Sequence, residues 1–166
     1  MTYDEGKEAL VQAWGTLGSK WGISRTMSQI HILLLTSPEP LTTEDVMEQL
    51  QISRGNANMN LRDLIGWGII RKVLRAGERK EYFEAERDVW KVAMQVARER
   101  KRRELEPLLA VLDQVSTVEG EGPEVARMTE AVRDLKKFAN NADRLLDTMI
   151  KAEENWFWGN FLKVLR

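Results

Sequence analysis

The 166-residue chain has no cysteine, which excludes disulfides and thiolate metal sites and is compatible with a reducing interior. Its single histidine, His31, cannot assemble the usual zinc ligand set without cysteine, and it is read as a structural residue. No apolar run approaches the ~20 residues that a membrane-spanning helix needs. The opening MTYDEGKEAL is acidic and amphipathic and lacks the pattern of a secretory signal, so a cytoplasmic protein is expected. There is no internal repeat, no low-complexity tract, no phosphate-cradling glycine loop and no nucleophile–base pair. Catalysis is therefore not expected, and neither is a metal or cofactor. No charge sign dominates, with 25 Lys and Arg against 26 Asp and Glu.

What is present is the balance of a globular chain, 43% hydrophobic and 31% charged. The charge is unevenly placed. Residues 1–40 carry net −1, residues 41–103 net +4 and residues 104–166 net −4. A polyanion would be drawn to the middle and repelled by the end.

Helical spacing dominates. Thr2 and Glu5 have capping-box spacing at the start of a helix over 2–21, whose Leu10, Trp14, Leu17 and Trp21 are expected to face inward. A second helix fits 26–36, with Met27, Ile30 and Leu34 inward, and Pro38 and Pro40 stop it. Thr42 opens a short third helix with Asp45 at its third position. Gln51-Ile52-Ser53 then makes a turn, and Ser53 caps a fourth helix running to about Trp67. In that helix Ala57, Leu61, Leu64 and Ile65 form one apolar stripe, while Gly55, Asn56, Asn58, Met59 and Arg62 lie on the other side. The period then changes. Residues 69–74 and 81–86 are strand-like, joined by Arg75-Ala76-Gly77-Glu78-Arg79-Lys80 as a hairpin tip.

Helix, helix, turn, helix, hairpin is the order of a winged helix-turn-helix. The expected fold is mainly α with a small β-hairpin: a winged domain over 26–87, an N-terminal dimerisation helix over 1–25, and long helices over 88–166 for dimerisation and effector sensing. A major groove about 12 Å wide admits one helix, Asn can bridge the N6 and N7 edge of adenine, and Arg can bridge the O6 and N7 edge of guanine. Gly55 would permit close approach to the sugar-phosphate wall, and Met59 could touch a thymine methyl. Ser53 and Arg54 stand at the helix start, which favours a phosphate. Residues 53–80 hold seven Lys and Arg against two acids. Arg75, Arg79 and Lys80 lie at or beside the hairpin tip, where phosphates or the minor groove come within reach. The expected interface with double-stranded DNA is thus Ser53, Arg54, Gly55, Asn56, Asn58, Met59 and Arg62 from the helix, with Arg75, Arg79 and Lys80 from the wing.

The stretch LTTEDVMEQLQISRGNANMNLRDLIGWGIIRKVLRAGERKEYFEAERDVW, residues 41–90, resembles the MarR superfamily and most closely its GbsR-type branch. ISRGNANMNLRDLIGWGII and GERKEYFEAE are the specific parts. The resemblance implies a homodimeric transcriptional regulator, read as a repressor, whose terminal helices form the dimer. It also implies modulation by a small molecule such as a quaternary amine. The rival reading is a winged-helix adaptor that binds proteins and not specific DNA.

Asp88 caps a long helix with Val89, Ala93, Val96 and Ala97 on its apolar side. The charged run at 98–103 is expected to be solvated, and Pro107 to bend or restart the helix. From Val125 to Met149 the apolar residues Val125, Met128, Val132, Leu135, Ala139, Ala142, Leu146 and Met149 keep a heptad spacing, widened by Phe138 and Leu145. That stripe can serve an internal core, a dimer seam or both. Trp14, Trp21, Trp156 and Trp158 lie in the two end regions. Aromatic faces can cage a quaternary ammonium, so these four are candidate effector residues, although core or interface packing is the default.

Overall fold

The computed structural model describes residues 1–154, so Trp156 and Trp158 lie outside the described residues. The chain forms two compact units, residues 1–92 and residues 93–166. The expected fold class holds: mostly helix with a small antiparallel sheet.

In the first unit, α1 (Tyr3–Lys20) opens with the capping box of Thr2 and Glu5, in which each residue's side chain takes the other's backbone N–H. Its inward side differs from the expected one. Val11, Gly15 and Gly18 are buried, while Leu10, Leu17 and Trp21 are exposed. The reason is close packing on α2 (Arg25–Thr36). A Cβ at Gly18 would lie 1.9 Å from Ser28 Oγ, so only glycine lets the two helices approach this closely.

Helix α2 is the centre of this unit, with Met27, Ile30, Ile32, Leu33 and Leu34 all buried. His31 is buried among them, and its Nε2 has no hydrogen-bond partner. Burial pushes its pKa down to about 4, so the imidazole is neutral at pH 7. It occupies the structural place expected of it.

After the Pro38–Pro40 segment come β1 (Leu41–Thr42) and α3 (Thr43–Leu50), the latter capped by a second capping box, Thr42 with Asp45. Gln51 turns the chain in a left-handed conformation, φ 53°. Ser53 caps α4 (Arg54–Gly66), accepting from the Asn56 N–H at 3.3 Å. Ala57, Leu61 and Leu64 are buried as expected. Strands β2 (Ile70–Val73) and β3 (Tyr82–Ala85) form the hairpin, with Ile70 opposite Ala85 and Val73 opposite Tyr82. The sheet gains a third strand. β1 pairs antiparallel with β3, Leu41 opposite Phe83, to give the order β1-β3-β2. Two residues are too few for a strand period to be visible, and only the pairing creates this one.

Helix α5 (Val89–Arg100) starts on Asp88, whose carboxylate accepts from the N–H groups of Trp90 and Lys91. Val92 and Met94 are its buried apolar residues, whereas Val89 and Ala93, expected inward, are exposed. One π-helical segment, Lys101–Leu105, follows and leads into α6 (Glu106–Val115). The Glu106 N–H reaches the Lys101 carbonyl, one residue further back than in an α-helix. Pro107, next in line, has no N–H to donate and its ring crowds the carbonyl four residues earlier, so a widened turn accommodates it where an α-turn would not.

The second unit packs α6 against α7 (Pro123–Glu154) around Leu112, Val132 and Ala139, with Leu105, Leu109 and Val115 beside them. The charged run is only partly solvated. Glu99 is buried and held by Arg102 and Arg103, which keep its carboxyl below the usual range, Arg102 most strongly. Lys101 is largely buried and reaches Asp147 at 2.6 Å and Asp143 at 3.2 Å on α7. The heptad stripe divides. Val132 and Ala139 turn into the unit, while Met128, Leu135 and Met149, together with Phe138 and Leu145, stay exposed.

Candidate nucleic-acid interface

The surface of interest is built where α3, α4 and the hairpin meet in the first unit. Helix α4 is anchored from behind. Its Asn60 is buried, donates through Nδ2 to the Asn56 carbonyl at 2.8 Å and to Asn56 Oδ1 at 2.7 Å, and accepts from Ser24 Oγ at 3.3 Å. A buried amide must be paired to avoid a desolvation cost, and Asn60 is paired to the cap of α2. Among the three asparagines of this helix, Asn60 is thus structural.

The opposite side is open. Arg54, Gly55, Met59 and Arg62 are exposed, and Asn56 and Asn58 are half-buried. Met59 leaves 58% of its surface in solvent. A Cβ at Gly55 would meet nothing within 4 Å, so no contact within the chain calls for glycine there. Glycine inside a helix is unfavourable by about 1 kcal/mol relative to alanine.

The hairpin carries the second group of charges. Its tip closes through the Glu78 N–H to the Arg75 carbonyl at 3.1 Å, with Gly77 at φ +83°, the left-handed position that such a turn reserves for glycine. Arg75, the first residue of that turn, is held in place. Its guanidinium pairs with Glu39 at 3.1 Å and lies 4.4 Å from the centre of the Tyr82 ring. The Tyr82 hydroxyl donates to Glu78, which raises the phenol's pKa above its ordinary value.

Of the seven cations between residues 53 and 80, four have intramolecular counter-ions. Arg71 pairs with Glu84, its direct cross-strand neighbour, and Lys72 reaches Glu81 at 2.6 Å. Arg75 has Glu39, and Arg54 has Glu44 at 2.9 Å. Arg62, Arg79 and Lys80 are exposed, and among the described residues they have no ion-pair partner. The charge excess legible in the sequence is therefore concentrated, after folding, on these three positions. Hydrogen bonds from its own backbone N–H and from Arg54 hold the Glu44 carboxyl below the usual range, and the charge of Lys80 adds a small effect there and at Asp45. For Asp45 the main cause is the hydrogen bonds from Thr42 within the cap.

The structure thus brings Ser53, Arg54, Gly55, Asn56, Asn58, Met59 and Arg62 together on one helix, with Arg75, Arg79 and Lys80 on the adjoining hairpin. Sequence reasoning missed Glu44 and Glu39, acids from neighbouring elements that hold two of the expected contact residues. Their signal is long-range and only the fold reveals it. Of the candidate effector residues, Trp14 is half-buried and Trp21 is exposed, both on or at the end of α1.

A crystal structure of a transcriptional regulator aligns with this chain at a TM-score of 0.68 and 19% sequence identity, covering 90% of this chain and 99% of that one. The shared fold is a winged helix with helical flanks. Two further structures align less well: a mutant of S. aureus MepR bound to an oligodeoxyribonucleotide, and the adhesin competence repressor AdcR of Streptococcus pyogenes. Their TM-scores are 0.41 and 0.36, with 14% and 19% identity, covering 88% and 86% of this chain and 91% and 99% of theirs. No family model and no curated protein matches the sequence. Among the described residues no helix is long and apolar enough to cross a membrane.

Proposed function

We propose that this chain is a sequence-specific regulator of transcription in the MarR superfamily that binds duplex DNA as a homodimer. The observation that carries the reading is the outward row on α4, Gly55, Asn58, Met59 and Arg62, set beside the cations Arg79 and Lys80, which have no counter-ion among the described residues. An amide and a guanidinium on an exposed helix match the donor and acceptor pattern of the major groove, and unpaired cations on a hairpin match phosphates. Ser53, Arg54 and Asn56 complete the helix contacts, with Arg75 supporting the wing from its place on Tyr82.

Dimerisation is supported by the apolar residues that the fold leaves uncovered on α6 and α7: Leu108, Val111, Leu135, Phe138 and Leu145. A two-fold dimer would present two recognition helices about 34 Å apart to a pseudo-palindromic operator.

The deciding experiment is a fluorescence-anisotropy titration with random duplex at low and at higher salt. The DNA reading expects binding that weakens steeply as salt rises, because each neutralised phosphate releases counter-ions. A protein-binding adaptor would show neither. With an operator selected from genomic fragments, Asn58→Ala or Arg62→Ala should lower discrimination between operator and random sequence. Lys80→Ala should weaken both alike and flatten the salt slope. Identical profiles for all three variants would contradict this division of roles.

A further inference from the structure

The DNA-facing surface contains an acid in a place that works against polyanion binding. Glu44 stands in the first turn of α3, half-exposed, with a carboxylate oxygen 2.9 Å from Arg54 Nη2. Arg54 is the first residue of α4, where a phosphate approaching the Ser53 cap would arrive. Lys80, on the hairpin, is near enough for its charge to be felt at Glu44 as well. The carboxylate is thus paired with the first cation of the recognition helix. Hydrogen bonds from its own backbone N–H and then from Arg54 keep its pKa below the usual carboxylate range, so it is ionised at neutral pH.

Stability does not account for this pair. Both side chains are half or more exposed, 60% for Arg54 and 50% for Glu44, and exposed ion pairs contribute little to folding. Its effect on a polyanion is larger. An intramolecular carboxylate takes the place of one phosphate on Arg54 and repels a second one from the same spot, which removes about one unit of effective cationic charge from the surface. In counter-ion terms that is a loss of about 0.9 from the slope of log affinity against log salt.

We propose that Glu44 is a built-in competitor for Arg54: it occupies the guanidinium in the free protein, and DNA must displace it, so that affinity for any duplex is held below what the cations alone would give. This rests on the DNA-binding reading above. A regulator faces a vast excess of non-specific sites, and limiting the purely electrostatic part of its affinity leaves more of it free for the operator. The nearby Arg75–Glu39 pair differs, because Arg75 also stacks on Tyr82 and has a second reason to stay where it is.

The test uses Glu44→Gln in the full chain, with a random-sequence duplex spanning two to three helical turns as probe. Gln keeps the size and one acceptor oxygen but not the charge. The expected result is binding several-fold tighter than wild type at about 50 mM salt, with a slope steeper by about 0.9, so that the gain shrinks towards about 200 mM. In an Arg54→Gln background the same Glu44→Gln change should gain much less, because the contested cation is gone. Weaker binding by Glu44→Gln would mean that the carboxylate positions Arg54 for DNA, and would overturn the proposal. So would an equal gain with and without Arg54. If wild type binds and Glu44→Gln binds no better, only this proposal fails. If neither wild type nor variant binds duplex at low salt, the DNA reading fails with it.

Discussion

The two compact units treat their hydrophobic residues differently. In residues 1–92 the large apolar side chains at the centre, Ile30, Leu33, Val46, Leu61, Leu64 and Phe83, are all enclosed by the same chain. In residues 93–166 Met94, Leu112, Val132, Ala139 and Ile150 are buried, yet the same helices leave Leu135, Leu145 and Phe138 uncovered. Phe138 is 73% exposed on a helix whose other side is packed. A winged helix with three strands and four helices can close a core alone. A pair of long amphipathic helices with a wide apolar stripe leaves its outward half exposed, and in the dimer proposed above a second copy would cover it.

The largest expected effect follows from that contrast. Phe138→Glu with Leu145→Glu should raise the dimer dissociation constant by two orders of magnitude or more, as loss of two interface anchors worth about 2 kcal/mol each would do. Sedimentation equilibrium would measure this, and the melting of the first unit should stay in place. A wild-type chain that is monomeric at micromolar concentration would break the comparison outright. Next in size, Leu61→Ala should cost about 2–5 kcal/mol in denaturant unfolding, since the enclosed core has no room to collapse around a void. A cost below about 1 kcal/mol would mean that the first core is looser than its burial implies.

His31 sharpens the same point through pH. Its folded pKa of about 4 lies below the unfolded value of 6.5, so the unfolded chain takes up the proton first as pH falls. Its contribution is complete above about pH 6.5 and is lost progressively towards pH 4, by roughly 3 kcal/mol in all. His31→Gln should flatten that part of the stability profile. A wild-type profile already flat between pH 6.5 and 4 would show that the imidazole is not enclosed. The smallest effect concerns the outer side of α4. Gly55→Ala should stabilise the fold by about 0.5–1 kcal/mol while weakening DNA binding, an opposition that only an external partner explains. Gains or losses in both together would remove Gly55 from the interface.

Where a signal is local, the sequence carries it well. The caps at Thr2, Thr42, Ser53 and Asp88 sit where expected, because a cap is a contract between residues two or three apart. The inward stripe of α4 follows from the helical period alone. The inward side of α1 does not. Its leucines and Trp14 are the larger apolar groups, but α2 presses Gln29 and Arg25 against Gly15 and Ser28 against Gly18, and that side is the one enclosed. The row of candidate DNA contacts was legible as a set of residue types. Which cations remain unneutralised was not, because Glu39, Glu44, Glu81 and Glu84 reach them from other elements or across the ladder.

The amino-acid order by itself determined the helices of the first unit, the hairpin and their order: periodicity and capping act over a few residues and need no partner. Only the tertiary structure decided which side of α1 is inside, that two residues at 41–42 form a strand, that Lys101 and Glu99 are withdrawn from solvent, and that Arg54 faces Glu44. Apart from the local pairs of Glu99 with Arg102 and Arg103, these depend on groups brought together only when the helices and the sheet have packed.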